Sequence, residues 1–297
     1  MKVWMNGKLV DKAGAKLSVF DHGTLYGDGV FEGIRVYNER VFQCQEHIDR
    51  LFESARRIRL AIPYTKQGLI DAMYETLRAN GTGDGYIRLV VTRGPGDLGL
   101  SPWKCPEPSV FIIADQIALY GEEMYANGMA VIVAKTVRTS ARMLDPAIKS
   151  LNYLNNILAK IEAVDAGVAE AIMLNEKGNI AECTGDNLFI VRGGQVVTPP
   201  GNAGMLMGIT RQVVIALAGR LSLPLAERDV TPAQLYEADE CFLTGTAAEV
   251  IAVTKVDGRT IGDGKVGPVT QRLQAAFRQF IQTGEELVFP PRQVSKC

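Results

Sequence analysis

Between Ile117 and Gly128 the chain mixes Tyr, Gly and Glu and loses the apolar periodicity it keeps on either side. In a chain of 297 residues such a break predicts two folded units, since domains run to about 100–200 residues. The units are expected over residues 1–118 and 129–297, joined by a connection at 119–128. Before the break, Asn6-Gly7 separates Lys2–Met5 from Lys8–Val10 as a two-residue hairpin turn would, and Asn38-Glu39 separates 30–37 from 40–44 in the same way. Ile48, Leu51, Phe52, Ala55 and Ile58 recur at helical spacing within 46–60, a second helix fits 66–79, and strands are expected at 85–92 and 109–113. The front unit reads as an antiparallel sheet with helices on it, an α+β domain.

After the break come a strand at 130–137, an irregular stretch to Pro146, and a helix starting near Leu151. That helix carries Leu154, Ile157, Leu158, Ile161 and Val164 and is stopped by Gly167. Short strands follow at 171–175, 179–183, 187–191 and 195–199, and Thr210 is placed to cap a helix through Leu221. A strand near 240–243, a hairpin at Asp257-Gly258 and an amphipathic helix over 268–281 complete a larger, β-rich α/β unit.

Composition removes several function classes. With 32 Lys+Arg against 33 Asp+Glu there is no basic excess to neutralise a phosphate backbone and no polybasic tract for an anionic membrane, so neither nucleic acid nor lipid is expected as a partner. The most apolar window, VFIIADQIALY, is interrupted at Asp115 and Gln116, short of a membrane span. MKVWMNGKLV lacks the continuous apolar run of a signal peptide. Cys44, Cys105, Cys183, Cys241 and Cys297 are scattered without CxxC spacing, which predicts reduced thiols and a cytoplasmic protein. Only His22 and His47 are present, and without HExxH, HxH or GxSxG patterns neither a metal site nor a Ser/His/Asp hydrolase is expected. Gly27 to Gly33 reads GxGxxxG before a strand, the wrong spacing and the wrong following element for a dinucleotide loop.

Lys149 stands between Asp145-Pro146 and the apolar helix. By position it is either a solvated lysine or an amine held out of water, with a lowered pKa and the ability to form an imine. A second constellation runs from Glu182-Cys183-Thr184-Gly185-Asp186-Asn187-Leu188-Phe189 through Val196-Val197-Thr198 to Leu206-Met207-Gly208-Ile209-Thr210-Arg211. This string, ExTxxNLF, VxT and LxGIxR, resembles the signature of the class IV (fold type IV) pyridoxal-phosphate aminotransferases. YGDGVFEGIR, EHIDRL, KSLNYL and LTGTAAE extend the resemblance over nearly the whole chain. It implies a two-domain fold with pyridoxal 5'-phosphate between the domains, Lys149 forming the Schiff base, Glu182 facing the pyridine nitrogen, and Tyr153 bonding the phenolic oxygen. A carboxylate beside that nitrogen favours its protonated form, the electron sink of the chemistry. Arg50, Gly208-Ile209-Thr210 and Thr244-Gly245-Thr246 are candidates for the phosphate, as guanidinium, helix start and glycine turn.

VFEGIR with Tyr86-Ile87-Arg88 resembles the branched-chain group of the family. By that resemblance Tyr86 and the turn at Thr246 and Ala247 hold the α-carboxylate, Tyr26 and Arg88 hold glutamate's distal carboxylate, and Phe31 lines the apolar pocket. Arg35 is a further substrate-side candidate or a brace for the sheet, and Tyr120 a further pocket candidate. KSLNYL is shared with the D-amino-acid branch, and Ile117 or a neighbour replaces a tryptophan found in some branched-chain enzymes. The implied reaction is transamination between branched-chain L-amino acids and 2-oxoglutarate by a homodimer, with Tyr26 a residue shared across it. The alternatives are a D-amino-acid or R-amine transaminase, an aminodeoxychorismate lyase, or a non-catalytic ligand-binding module on the same scaffold.

Overall fold

The computed structural model describes residues 1–117, 120–287 and 289. The first part of the chain forms β1 (Lys2–Met5), β2 (Lys8–Asp11), α1 (His22–Tyr26), β3 (Gly29–Tyr37), β4 (Arg40–Val41), α2 (Cys44–Arg57), α3 (Lys66–Asn80), β5 (Gly85–Thr92) and β6 (Ser109–Asp115). Its strands make one antiparallel sheet in the order β2-β1-β6-β5-β3-β4. Both expected hairpin turns form: Asn6 and Gly7, and Asn38 and Glu39, all take positive φ, the conformation that matches a tight turn to strand twist.

Alternation along β3 and β5 decides what each face does. Val30, Ile34 and Val36 with Ile87, Leu89 and Val91 turn toward Ile48, Leu51 and Ala55 of α2 and Leu69, Met73 and Leu77 of α3, forming the first core. Each such side chain contributes about 1.5–3 kcal/mol by leaving water. Phe31, Gly33, Tyr86 and Arg88 fall on the opposite face, which is therefore free to build a site.

The second part comprises α4 (Glu122–Asn127), β7 (Met129–Val133), α5 (Leu154–Asp165), β8 (Glu170–Leu174), β9 (Ile180–Cys183), β10 (Asn187–Arg192), β11 (Gln195–Thr198), α6 (Ile209–Arg220), β12 (Leu225–Glu227), α7 (Pro232–Tyr236), β13 (Glu240–Gly245), β14 (Glu249–Val256), β15 (Arg259–Thr260) and α8 (Pro268–Thr283). Its curled sheet runs β12-β11-β10-β13-β14-β7-β8-β9, with β15 on β14. The parallel pairs are β14·β7, β7·β8 and β11·β12. One face packs α6 and α8 over stacked Phe189 and Phe242, whose ring centroids are 4.9 Å apart. The mixed helix and sheet content agrees with the α+β and α/β units expected from the sequence.

Several expectations need correction. A six-residue helix, α4, occupies part of the stretch read as irregular, and Leu119, the first residue of the expected connection, lies outside the described residues. So does Cys297, while the other four cysteines are free thiols. The strand expected over 130–137 ends at Val133, and 42–44 belongs to a turn and the start of α2 rather than to a strand. Three further elements were not anticipated: α1, β12, and α7 with its capping box of Thr231 and Gln234 around Pro232, a signal visible in TPAQ. Helix α6 is capped by Gly208, and Thr210 lies inside its first turn.

The largest correction concerns α5, which starts at Leu154 and turns its apolar stripe outward. Leu154, Ile157, Leu158, Ile161 and Val164 are exposed, whereas Asn156, Ala159 and Ala163 are buried, the two alanines against Ala171 and Met173. Small side chains let the helix lie close on β8, and a stripe of larger apolar residues on the other side cannot reach the core. Among the described residues no helix is long and apolar enough to cross a membrane.

Candidate active site

The free faces of β3 and β5, the loop before α5, the β9–β10 turn and the start of α6 meet around a cavity of about 500 Å³. Lys149 reaches it because the segment ahead of α5 is pinned to the first sheet. The Phe31 amide donates to the Lys149 carbonyl at 3.0 Å, the Leu151 amide to the Gly29 carbonyl at 2.9 Å, and the Lys149 amide to Ser54 Oγ of α2 at 3.2 Å. The Lys149 Nζ then lies 3.1 Å from Tyr153 Oη and 4.6 Å from the centre of the Phe31 ring. Tyr153 precedes α5 instead of continuing a helix from Lys149, yet the two side chains meet.

Glu182 enters from β9 and is buried. Its Oε1 accepts from Arg138 Nε at 2.8 Å and its Oε2 from the Leu206 amide at 3.0 Å. Burial pushes this carboxyl above the usual range, while Arg138, the Leu206 amide and Lys149 pull it back. Arg138 was not singled out by its sequence context, an unpatterned Arg/Thr/Ser stretch.

Ile209 and Thr210 open α6 at the same cavity. Its cap, Gly208, has no side chain to occupy the free N–H groups of the first turn, and a Cβ there would stand 2.0 Å from Asn187 Oδ1. The hydroxyls of Thr210 and Thr244 line the same cavity, are buried, and have no hydrogen-bond partner among the described residues. Two orphaned hydroxyls beside an open helix start, with Arg50 adjoining, fit a phosphate group. Arg50 is held by Glu32, which accepts from its Nε at 2.7 Å and its Nη2 at 2.6 Å, and its Nη1 donates to the Met207 carbonyl at 3.1 Å. His47 Nδ1 lies 2.8 Å from the same carboxylate. Burial would raise Glu32, but Arg50 and His47 more than reverse it and hold the carboxyl well below its usual range. Burial keeps His47 below its ordinary value despite Glu32. Glu32 and His47 were missed, although a carboxylate in the apolar phase of β3 and a His/Arg pair three apart on the apolar face of α2 were readable signals.

On the substrate side, Phe31, Tyr86, Arg88, Thr246 and Ala247 all line the cavity. Arg88 stacks over Phe31 at 4.7 Å and its Nη2 donates to Tyr86 Oη at 3.3 Å, so the period of two places Tyr86 and Arg88 on one face. Gly33 makes room for this arrangement: a Cβ there would stand 1.7 Å from Tyr86 Oη. Tyr120 lines the cavity too, its hydroxyl between Asp186 Oδ2 at 3.3 Å and Glu170 Oε2 at 3.5 Å. Burial, with Glu170 adding repulsion, pushes the Asp186 carboxyl up to about 7.

Two candidates lie elsewhere. Arg35 is outside the cavity lining; its guanidinium donates to Glu249 Oε1 at 3.3 Å and to the Ile117 carbonyl at 3.2 Å, so it braces the first sheet against β14. Tyr26 is also outside the lining, and its hydroxyl donates to the Leu98 carbonyl at 2.6 Å on a partly exposed surface. A larger cleft of about 870 Å³ lies at the Gly262–Gly267 loop, but it holds none of the signature residues. Glu240 beside it is already committed to the first amides of α8.

The profile of the amino-transferase class IV family matches residues 29–256. A putative branched-chain-amino-acid aminotransferase of Methanocaldococcus jannaschii is 52% identical over 94% of this chain and 96% of its own length. A D-alanine aminotransferase of Listeria monocytogenes is 38% identical over 97% and 99%. A branched-chain amino acid aminotransferase from T.th., solved with pyridoxamine 5'-phosphate, superposes with a TM-score of 0.92 at 39% identity, covering 96% of this chain and 95% of that one. The family match spans most of the chain and includes every residue that builds the cavity, and on these grounds this protein belongs to the class IV aminotransferases.

Proposed function

We propose that this protein is a pyridoxal-phosphate enzyme that transfers amino groups between branched-chain L-amino acids and 2-oxoglutarate. The observation that carries the reading is the convergence of Lys149 Nζ, the buried Glu182 carboxyl and the orphaned Thr210 and Thr244 hydroxyls on one cavity. When bound, the cofactor supplies an electron sink for the substrate's α-carbon. Lys149 Nζ is the base that takes the α-proton and returns it, with the Tyr153 hydroxyl beside it. Arg50, Thr244, Thr246 and the α6 start from Gly208 through Thr210 hold the phosphate. Tyr86 and the turn at Thr246 and Ala247 orient the α-carboxylate, Phe31 excludes water from the side-chain end, and Arg88 meets a distal carboxylate.

The chain is read as domains over 1–118 and 129–297. A homodimer is part of the same reading, supported by the outward apolar stripe of α5 and by Tyr26, which lies apart from its own cavity with exposed Leu98 and Leu100 nearby. A second copy gives both a place. Free thiols at four scattered cysteines agree with a cytoplasmic site of action.

The test is a set of single half-reactions on cofactor-loaded protein, adding leucine, isoleucine, valine, glutamate or D-alanine alone and following amination of the cofactor by absorbance. Conversion by the three branched-chain donors and by glutamate is expected. Conversion by D-alanine and not by leucine overturns the substrate assignment and favours the D-amino-acid branch. Release of pyruvate from aminodeoxychorismate without an amino acceptor identifies the lyase. Borohydride reduction is expected to fix the cofactor to the peptide containing Lys149.

A further inference from the structure

We infer that Arg138, which does not line the cavity, is a positioning residue that sets where the proton between Glu182 and the cofactor's ring nitrogen resides. The inference rests on the reading of Glu182 as the residue facing that nitrogen. Its geometric basis is a buried chain of fixed contacts. Arg138 is 8% exposed, and its Nε donates to Glu182 Oε1 at 2.8 Å. Its Nη1 donates to Asn155 Oδ1 at 3.0 Å and to Thr139 Oγ1 at 3.1 Å, and its backbone amide donates to the Leu174 carbonyl at 2.8 Å. Asn155 is itself locked in the first turn of α5, accepting from the Thr139 amide at 3.2 Å and donating to the Val137 carbonyl at 2.9 Å. These contacts hold the guanidinium on the carboxylate.

The chemistry follows from competition for one proton. A ring nitrogen opposite Glu182 and the Glu182 carboxylate are both bases, and whichever is the stronger holds the proton. Taking Glu182 out of water makes it a stronger base, since burial penalises the anion. The Arg138 guanidinium opposes this, stabilising the anion and so favouring the proton on the nitrogen. Arg138 is therefore required for the ring to act as an electron sink, although it touches neither ring nor substrate.

The experiment reads the proton directly. Protein is reconstituted with cofactor labelled with nitrogen-15 in the ring, and the nitrogen resonance is followed from about pH 6 to pH 9 in the parent, Arg138→Gln, Arg138→Lys and Glu182→Gln. The parent and Arg138→Lys are expected to keep the protonated resonance across this range. In Arg138→Gln the resonance moves to the unprotonated position or titrates within the range, and the leucine half-reaction slows about tenfold or more. An unmoved resonance in Arg138→Gln overturns the inference. If Glu182→Gln also leaves it unmoved, the placement of Glu182 fails as well; if Glu182→Gln moves it and Arg138→Gln does not, only the role of Arg138 fails. Should Arg138→Gln not fold, Asn155→Ala, which removes one support of the guanidinium, carries the test: a nitrogen titrating at lower pH than in the parent supports the inference, and an unchanged one overturns it.

Discussion

The cavity has two walls, and they treat buried carboxylates in opposite ways. On the first-sheet side Glu32 receives two bonds from Arg50 and faces His47, so burial that would neutralise it is overcome and it stays ionised. On the second-sheet side Asp186 faces Tyr120 and the nearby Glu170, and burial together with like charge drives it toward protonation. Both groups are buried, so depth does not separate them; the two bonds from Arg50 with His47 beside them do, for which Asp186 has no counterpart. The first wall fixes Arg50 through both Glu32 oxygens, and of its groups His47 Nε2 has no partner among the described residues. The second satisfies Glu182 through Arg138 and the Leu206 amide but leaves the Thr210 and Thr244 hydroxyls without partners where they line the cavity, as a surface that awaits a ligand does.

The widest expected effect breaks the paired wall. Glu32→Ala leaves the Arg50 guanidinium buried without its carboxylate and is expected to destabilise the protein by about 3–5 kcal/mol, read from urea unfolding. A loss below about 1 kcal/mol means the pair is not the closed unit described. Next, Arg88→Leu removes one of the cavity's two guanidinium groups, the one stacked on Phe31. The half-reactions with glutamate and 2-oxoglutarate are expected to fall about a hundredfold, worth roughly 3 kcal/mol, while leucine and isoleucine change less than about tenfold. Equal losses for both substrate classes place Arg88 in the support of the fold or of the α-carboxylate.

Asp186→Asn probes the unpaired wall through pH. With a carboxyl at about 7 in the folded protein and near 4 when unfolded, the folded state binds more protons between these values, so stability falls as pH rises through that window. The asparagine does not titrate. Its advantage over the parent is expected to grow by about 2 kcal/mol from about pH 5 to pH 8 in parallel unfolding curves. A constant difference shows that Asp186 ionises normally. Glu32 has the opposite sign, its stabilisation being lost only in acid as pH falls below the ordinary carboxylate range. The smallest effect is that of Thr244→Val, which removes a buried hydroxyl lacking a partner among the described residues: the cofactor-free protein should gain about 1 kcal/mol while cofactor affinity drops. A cofactor-free protein that loses stability instead shows the hydroxyl to be satisfied.

Periodicity and turn chemistry are local, and for that reason most elements were legible. Asn6-Gly7, Asn38-Glu39 and Asp257-Gly258 carry their turns in their own backbone preferences, and Pro268 starts α8 without help from distant residues. The signature from Glu182 to Arg211 likewise identified the family before any contact was known, because its residues are close in the chain. Which face of an element becomes buried is a different kind of question. The stripe of α5 has the spacing of a core face, yet Ala159 and Ala163 allow closer packing and took that role. Arg35 and Tyr26 share a stretch with Phe31, and neither joins it in the cavity.

By itself, then, the sequence determined the order of most elements and the class of chemistry, since propensity and short motifs act over a few residues. Tertiary structure alone decided which charges are paired. Glu32 meets Arg50 across 18 positions and Glu182 meets Arg138 across 44; the Lys149 backbone is likewise pinned, by a neutral bond, to Ser54 across 95. Desolvation and Coulomb energy depend on distance in space and on what has been excluded from it, and a chain has neither until it has folded.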